Sequence, residues 1–130
     1  MNNQNPPSDK KRIILLEDED ALAILYQKKL LNEGYDVRLY KTTDELLESF
    51  KDFNPDLALL DHALHGEKKS GLDIIPILKK QNPSIIIVML SNYSKFQMEK
   101  DARKAGAHDY LLKINTSPAF LVGYVKNLFS

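Results

Sequence analysis

Short apolar runs alternate along the chain with segments that have the composition of helices. The runs are residues 13–16, 57–60, 85–90 and 110–112. Apolar runs of this length predict strands buried on both faces of a sheet, and the run at 85–90 predicts an interior strand. Val37 and Leu39 alternate with polar neighbours, which predicts a strand that lies at an edge of the sheet or has one wet face.

Capping and stop signals between these runs predict five helices. They are residues 20–33 before Gly34, a helix opened by the capping box Thr42 to Glu45, a helix ending near Gln81 with Pro76 near its first turn, a helix opened by the capping box Ser94 to Gln97 and closed by Gly106, and a last helix begun by Ser117-Pro118. The first helix has roughly periodic apolar positions at Leu22, Ile24, Leu25, Leu30 and Leu31.

Five strands that alternate with five helices predict an α/β fold, doubly wound, with helices on both faces of a parallel sheet. Ligands of such sheets bind outside the carboxyl ends of the strands, so the residues that follow each strand carry the most information. Those residues are Glu17 and Asp18 after the first strand, Asp61 after the third, Ser91 after the fourth and Lys113 after the fifth. We therefore expect three carboxylates, a hydroxyl and an ammonium group at one rim.

An acidic rim excludes the usual nucleotide site, where a glycine-rich or hydroxyl-rich loop after the first strand binds phosphate. Two carboxylates about 5 Å apart repel each other by roughly 3 kcal/mol at an effective dielectric constant of 20. Lys113 supplies one counter-charge, and a hard divalent cation would supply more. Because the ligands are oxygens, Mg²⁺ or Mn²⁺ is favoured over zinc. Such a cation would admit a phosphoryl oxygen, and Asp61 would then be the nucleophile that forms an acyl phosphate.

Composition narrows the class of protein further. The 130 residues include 18 basic and 18 acidic side chains, so there is no positive excess for direct nucleic-acid binding. No cysteine is present, and no apolar run reaches the roughly 20 residues that cross a membrane. Residues 1–10 predict a flexible tail without a secretion signal, and residues 11–130 predict one domain. We expect a cytoplasmic protein.

Each of these residues taken singly also has an ordinary structural explanation. Glu17 and Asp18 could favour the dipole of the first helix, and Asp61 could be a solvated loop acid. Ser91 could cap a helix, although Ser94 is the better placed cap. Alone, Lys113 would be a surface lysine and Tyr110 a core residue, and it is their joint placement at strand ends that favours an active site. The histidines have no companion ligands at metal-binding spacing, so we interpret His62, His65 and His108 as loop residues.

Four motifs, in order along the chain, resemble the receiver domain of response regulators. They are residues 16–18, 55–61, 89–91 and 105–113. The resemblance covers about residues 11–129, and the ordered set is far more specific than any motif alone. It implies a flavodoxin-like, five-stranded parallel sheet with strand order 2-1-3-4-5.

The resemblance also implies a chemistry for the site. Asp61 would receive a phosphoryl group from the phosphohistidine of a histidine kinase or a histidine phosphotransfer protein. Asp18 would bind Mg²⁺ directly and Glu17 mainly through water, and the metal set would also include Asp61 and the backbone carbonyl of Ala63. Lys113 would neutralise a phosphoryl oxygen. The protein would be a signalling phosphoacceptor that assists its own phosphotransfer and dephosphorylation, and not an enzyme with a separate substrate.

A two-residue switch follows from the same resemblance. Ser91 would be drawn toward the phosphoryl group, and Tyr110 would rotate in response. The face formed by the fourth helix, fifth strand and fifth helix would then change its affinity for a downstream protein partner, or for a second copy of the chain as a phosphorylation-dependent homodimer.

Departures from the family pattern lie on both sides of the expected site. The loop at residues 62–70 is about two residues longer than usual, with His65 where proline is common. Ile114 follows Lys113 where the family commonly has a proline preceded by a cis bond, and we predict a trans Lys113–Ile114 bond because a cis bond there would cost roughly 3 kcal/mol. Ala63 and Tyr93 occupy positions that tune water access, and they predict slow self-dephosphorylation.

Several functions fit this sequence. No effector domain follows the last helix here, so we first expect a stand-alone receiver that binds a partner once phosphorylated. The alternatives are a phosphorelay intermediate and a degenerate receiver that acts as a phosphorylation-independent interaction module. A phosphatase is disfavoured because Ala63 stands where a second catalytic carboxylate would be needed.

Overall fold

The computed structural model describes residues 10–62, 69–93 and 96–130. The predicted tail lies outside these ranges except for Lys10. The expectations for Ala63, His65 and Ser94 also fall outside the described residues.

Strands and helices alternate along the described chain as the sequence predicts. They are β1 (Arg12–Leu16), α1 (Asp20–Asn32), β2 (Asp36–Tyr40), α2 (Thr43–Phe53), β3 (Leu57–Asp61), α3 (Gly71–Gln81), β4 (Ile86–Ser91), α4 (Phe96–Ala105), β5 (Asp109–Leu112), a 3₁₀ turn (Lys113–Asn115) and α5 (Pro118–Phe129). All five strands are parallel, in the order β2-β1-β3-β4-β5. The order implied by the family resemblance is confirmed, and β2 lies at an edge as its alternating pattern allowed.

The core consists of two apolar layers, one on each face of the sheet. In β1, Ile14 and Leu16 belong to the layer that packs beneath α2, α3 and α4, whereas Ile13 and Leu15 belong to the layer beneath α1 and α5. All four side chains are fully buried. Burying each such side chain stabilises the fold by about 1.5–3 kcal/mol, which explains why continuous apolar runs specify these strands.

Polar caps and glycines fix most helix ends where the sequence places them. The Thr42 side chain accepts the Glu45 amide at 3.1 Å, and the Ser117 side chain accepts the Phe120 amide at 3.1 Å. Gly34 follows α1 with φ 93°, a left-handed conformation that favours glycine. The helices therefore begin and end close to their predicted bounds.

The buried face of α1 differs from the predicted apolar positions. Ala23, Tyr26 and Leu30 are its buried residues, whereas Ile24, Leu25 and Leu31 are about half exposed. Positions 23, 26 and 30 follow the three-to-four residue spacing of one helix face. Leucine and isoleucine on the opposite face obscured that spacing in the sequence.

Pro76 lies in the interior of α3, so its predicted position near the first turn is wrong. The helix begins at Gly71 because Ser70 and Asp73 form a capping box, in which the Ser70 side chain accepts the Asp73 amide and the Asp73 carboxylate accepts the Ser70 amide. Pro76 is consequently its sixth residue and is exposed. Its missing N–H leaves the Leu72 carbonyl without its usual helical donor.

None of the helices in the described ranges is long and apolar enough to cross a membrane.

Two glycines with open space around them separate the effect of backbone conformation from that of packing. A Cβ added at Gly123, inside α5, or at Gly34 would meet no atom within 4 Å. Gly123→Ala should raise the free energy of unfolding by about 0.5–1 kcal/mol, because alanine loses less conformational entropy in a helix. Gly34→Ala should lower it, because its φ is left-handed. Urea denaturation measures both free energies of unfolding. A lower free energy of unfolding for Gly123→Ala would contradict the open space around this residue.

Candidate functional site

The carboxyl edge of the sheet carries a group of buried polar side chains. Asp61 is the last residue of β3 and Ser91 the last of β4, while Glu17 directly follows β1. Glu17 is fully buried, Ser91 is 1% exposed and Asp61 is 3% exposed. The explanation of Asp61 as a solvated loop acid is therefore wrong. Such burial is costly for carboxylates and requires compensating partners.

Lys113 compensates two of these carboxylates at once. Its Nζ lies 2.8 Å from Glu17 Oε1 and 3.0 Å from Asp61 Oδ2, and its side chain is only 7% exposed. The residue opens the 3₁₀ turn after β5, and the peptide bond to Ile114 is trans as predicted, since no cis bond occurs among the described residues. Ile114 therefore does not prevent the ammonium group of Lys113 from reaching the site.

Three carboxylates come together beside this lysine. Glu17, Asp18 and Asp61 each offer an oxygen, and these oxygens lie within 4.8 Å of one another. Asp18 is half-buried, so one side of the cluster remains accessible. An all-carboxylate set of oxygens with an open side has the chemistry that Mg²⁺ accepts in proteins. The residues present therefore fit a divalent cation.

The electrostatic state of the cluster supports the same fit. Burial, and then the negative charge of Glu17, raise the pKa of Asp61 to about 7 even though Lys113 acts in the opposite direction. Burial lowers the pKa of Lys113, but its hydrogen bonds and charge interactions with Glu17 and Asp61 outweigh this and raise it. Burial and the charge of Glu17 thus outweigh the effect of Lys113 on Asp61, and a divalent cation would add positive charge beside its carboxylate.

The start of helix α3 packs closely against the backbone of Asp61 and His62. The amide of His62 donates to the carbonyl of Leu90 in β4 at 2.9 Å, and the amide of Gly71 donates to the carbonyl of His62 at 3.2 Å. A Cβ on Gly71 would lie 2.1 Å from the carbonyl oxygen of Asp61, so only glycine permits this approach. Sequence reasoning missed Gly71. The only available signal was a glycine directly after Ser70, the capping residue of α3.

Ser91 and Tyr110 meet at the backbone of a third residue, Tyr93. The hydroxyl of Ser91 accepts the amide of Tyr93 at 3.0 Å, and the hydroxyl of Tyr110 donates to the carbonyl of Tyr93 at 3.1 Å. Tyr110 is buried, and the ring of His62 packs edge-on against it with 6.1 Å between centroids. The two predicted switch residues are therefore connected through one peptide segment, which the sequence did not indicate.

The two histidines that the structure describes differ in burial. His62 is half-buried, and its ring nitrogens are shielded from solvent and have no hydrogen-bond partner among the described residues. Burial lowers the pKa of His62. His108 is exposed. The expectation that His62 is an ordinary loop residue is incomplete, because its ring packs against Tyr110.

A model of one protein family, the response regulator receiver domain, matches residues 13–123. The chain belongs to this family. Among curated relatives, this receiver domain is 31% identical over 101 residues to the nitrogen assimilation regulatory protein NtrX of Azorhizobium caulinodans, and 29% identical over 99 residues to the luminescence regulatory protein LuxO of Vibrio campbellii. These matches cover 78% and 76% of the chain but only 22% and 21% of the relatives, so the chain spans about a fifth of their length.

Solved structures show the same fold for the receiver domain. The CheY-like response regulator receiver domain protein of Methanospirillum hungatei superposes with a TM-score of 0.83 at 26% identity, covering 92% of this chain and 93% of that one. The BeF3-activated receiver domain of DrrB superposes with a TM-score of 0.81 at 22% identity, covering 92% and 97%. The chain is thus a receiver domain of a signalling response regulator. Phosphorylation and magnesium are typical of this family.

Ionisation of Asp61 should destabilise the metal-free protein. Its pKa of about 7 in the folded state exceeds the ordinary value of 3.8, so the stability it contributes is present at low pH and is lost as pH rises through about 7. Asp61→Asn, which carries no charge, should therefore stabilise the protein more at pH 8 than at pH 5, by roughly 1–4 kcal/mol. Urea denaturation in the presence of a chelator measures this difference.

The exposed carboxylate of Asp52 in α2 provides the matched control. Asp52→Asn should give the same change in unfolding free energy at both pH values. If Asp61→Asn also behaved identically at pH 5 and pH 8, Asp61 would not be a raised-pKa group.

Proposed function

We propose that this receiver domain is a phosphoacceptor, phosphorylated on Asp61 by a histidine kinase or a histidine phosphotransfer protein. The observation that carries the proposal is the double contact of Lys113 with Glu17 and Asp61, inside a cluster of three carboxylates. Burying a lysine and two carboxylates at a sheet edge can cost more in desolvation than their attraction returns. Such clusters of perturbed ionisable groups are typical of functional sites, which favours a function in binding a ligand or in a reaction. A phosphoryl group, with negative oxygens and an electrophilic phosphorus, suits both the lysine and the nucleophile.

The transfer itself needs little beyond positioning and charge. A carboxylate oxygen of Asp61 attacks the phosphorus of the donor phosphohistidine, forming a P–O bond as the P–N bond breaks. The bonding electron pair returns to the imidazole nitrogen, which takes up a proton. Lys113 already lies 3.0 Å from Asp61 Oδ2, where it can neutralise an oxygen of the incoming phosphoryl group. The accessible side beside Asp18 admits the donor.

Mg²⁺ would be held by Asp18 and Asp61, with Glu17 acting mainly through water and the backbone carbonyl of Ala63 as a further ligand. When bound, it supplies positive charge to the phosphoryl oxygens. The protein's own groups orient the nucleophile: Glu17 Oε2 accepts the amide of Glu19 at 3.2 Å while its Oε1 contacts Lys113. Glu17 thereby ties the start of α1 to the lysine.

The path from Asp61 to an output surface runs through Tyr93. If the hydroxyl of Ser91 turns toward the phosphoryl group, it releases the amide of Tyr93, whose carbonyl holds the hydroxyl of Tyr110. Tyr110 lies in β5, between α4 and α5 on the face expected to bind a downstream partner or a second copy of the chain. Arg103 of α4 contacts Asp109 of β5 at 2.8 Å, so a shift in one element of this face reaches the next.

Incubation with acetyl phosphate and Mg²⁺, followed by intact mass measurement, tests the proposal. The wild-type protein should gain one phosphoryl group, and Asp61→Asn should gain none because it lacks the nucleophile. Asp52→Asn, which changes an exposed acid, should react like the wild type. Absence of any added mass with acetyl phosphate and with histidine kinases would instead favour a degenerate interaction module.

A second measurement separates a stand-alone receiver from a phosphorelay intermediate. The phosphorylated protein is mixed with a histidine phosphotransfer protein, and the phosphoryl group is followed by mass. Retention on Asp61 supports a stand-alone receiver, and rapid passage to histidine supports a relay. The slow self-dephosphorylation expected from Ala63 and Tyr93 suits either function.

A further inference from the structure

Thr116, the residue after the 3₁₀ turn, closes the turn that carries Lys113. Thr116 is 2% exposed, and its amide donates to the carbonyl of Lys113 at 3.0 Å. Its hydroxyl donates to the carbonyl of Leu112 at 2.6 Å. The backbone on both sides of the Lys113 side chain is therefore bonded to Thr116, and any displacement of Thr116 moves the base of that side chain.

Thr116 is in turn fixed by a residue 90 positions away in the sequence. The hydroxyl of Tyr26, in α1, donates to the carbonyl of Thr116 at 2.7 Å. Tyr26 is fully buried, so its ring cannot follow a moving turn. A buried tyrosine hydroxyl usually has a hydrogen-bond partner, and here the partner is the backbone of the turn that carries Lys113.

Tyr26 also lies within the electrostatic environment of the site. Burial raises its pKa to about 12, with Glu17 adding to the rise, Lys113 opposing it and Glu19 adding a smaller part. The hydroxyl is therefore protonated at neutral pH and remains a donor. Tyr26 is not among the apolar positions predicted for α1, and it lies outside the four family motifs.

We propose that Tyr26 is a positioning residue for phosphoryl transfer, which holds the Thr116 turn so that Lys113 reaches both Glu17 and Asp61. Ile114, which follows Lys113 in the turn, is 89% exposed, so its side chain does little to restrain the turn. The hydrogen bond from Tyr26 of α1 to the Thr116 carbonyl supplies that restraint. This inference rests on the proposed phosphoacceptor function of Asp61.

A double-mutant cycle on the full chain tests whether Tyr26 acts through Lys113. Tyr26→Phe removes the hydroxyl and keeps the ring. With acetyl phosphate and Mg²⁺ at saturation, it should lower the phosphorylation rate of the folded protein about five- to tenfold, because misplaced reacting groups slow transfer. In a Lys113→Ala background, which is itself slow, Tyr26→Phe should change the rate less than about twofold, since the group it positions is gone.

Tyr40→Phe is the matched control. Tyr40 is also buried, and its hydroxyl accepts a hydrogen bond at 2.8 Å, but from Ser49 of α2. Its loss should lower the melting temperature without changing the phosphorylation rate. Rates are normalised to the folded fraction measured by circular dichroism.

The possible results separate this inference from the proposed function. An equal loss of rate in both Lys113 backgrounds, or no loss in either, would overturn the positioning proposal while leaving Asp61 as the phosphoacceptor. Failure of the wild-type protein to be phosphorylated would instead overturn the proposed function. A loss of rate with Tyr26→Phe that disappears with Lys113→Ala supports the inference.

Discussion

The buried contact of Lys113 with Glu17 and Asp61 is the interaction on which the rest of the site depends. These three residues follow or end β5, β1 and β3, so one ammonium group joins three strand ends. Breaking a buried ion pair by removing one partner typically costs about 3–5 kcal/mol, because the remaining charge is left uncompensated. The turn after β5, the start of α1 and the end of β3 are each arranged so that this contact is kept.

That contact does not fully offset the burial of Asp61, because burial, and then the charge of Glu17, raise the pKa of Asp61 to about 7. A cation bound beside Asp61 would therefore favour its ionised form near neutral pH. A divalent cation would attract the three carboxylates, and a phosphoryl group would attract the ammonium group of Lys113. The fold, the electrostatics of the site and the proposed function are in this way consistent with one another.

The sequence predicted what local patterns determine. Apolar runs located the strands, and because parallel strands end at one edge, the sequence alone was enough to place Glu17, Asp61 and Lys113 together. Contacts between distant segments could not be predicted from local patterns, as with the hydrogen bond from Tyr26 to a residue 90 positions away. The buried face of α1 was also not predicted, because leucines and isoleucines occur on its exposed face as well. The close approach of α3 to Asp61 was likewise invisible, because a glycine with ordinary φ carries no signal of what lies against it.

Magnesium titration by calorimetry at pH 6 and pH 8 tests the central claim most directly, namely that the cluster of Glu17, Asp18 and Asp61 binds a divalent cation when Asp61 is ionised. One ion should bind per chain, about tenfold more weakly at pH 6 because Asp61 must then lose a proton to bind the metal. Asp18→Asn should weaken binding at both pH values, whereas Asp52→Asn should not. Equal affinity at both pH values, or binding indifferent to Asp18→Asn, would contradict the account.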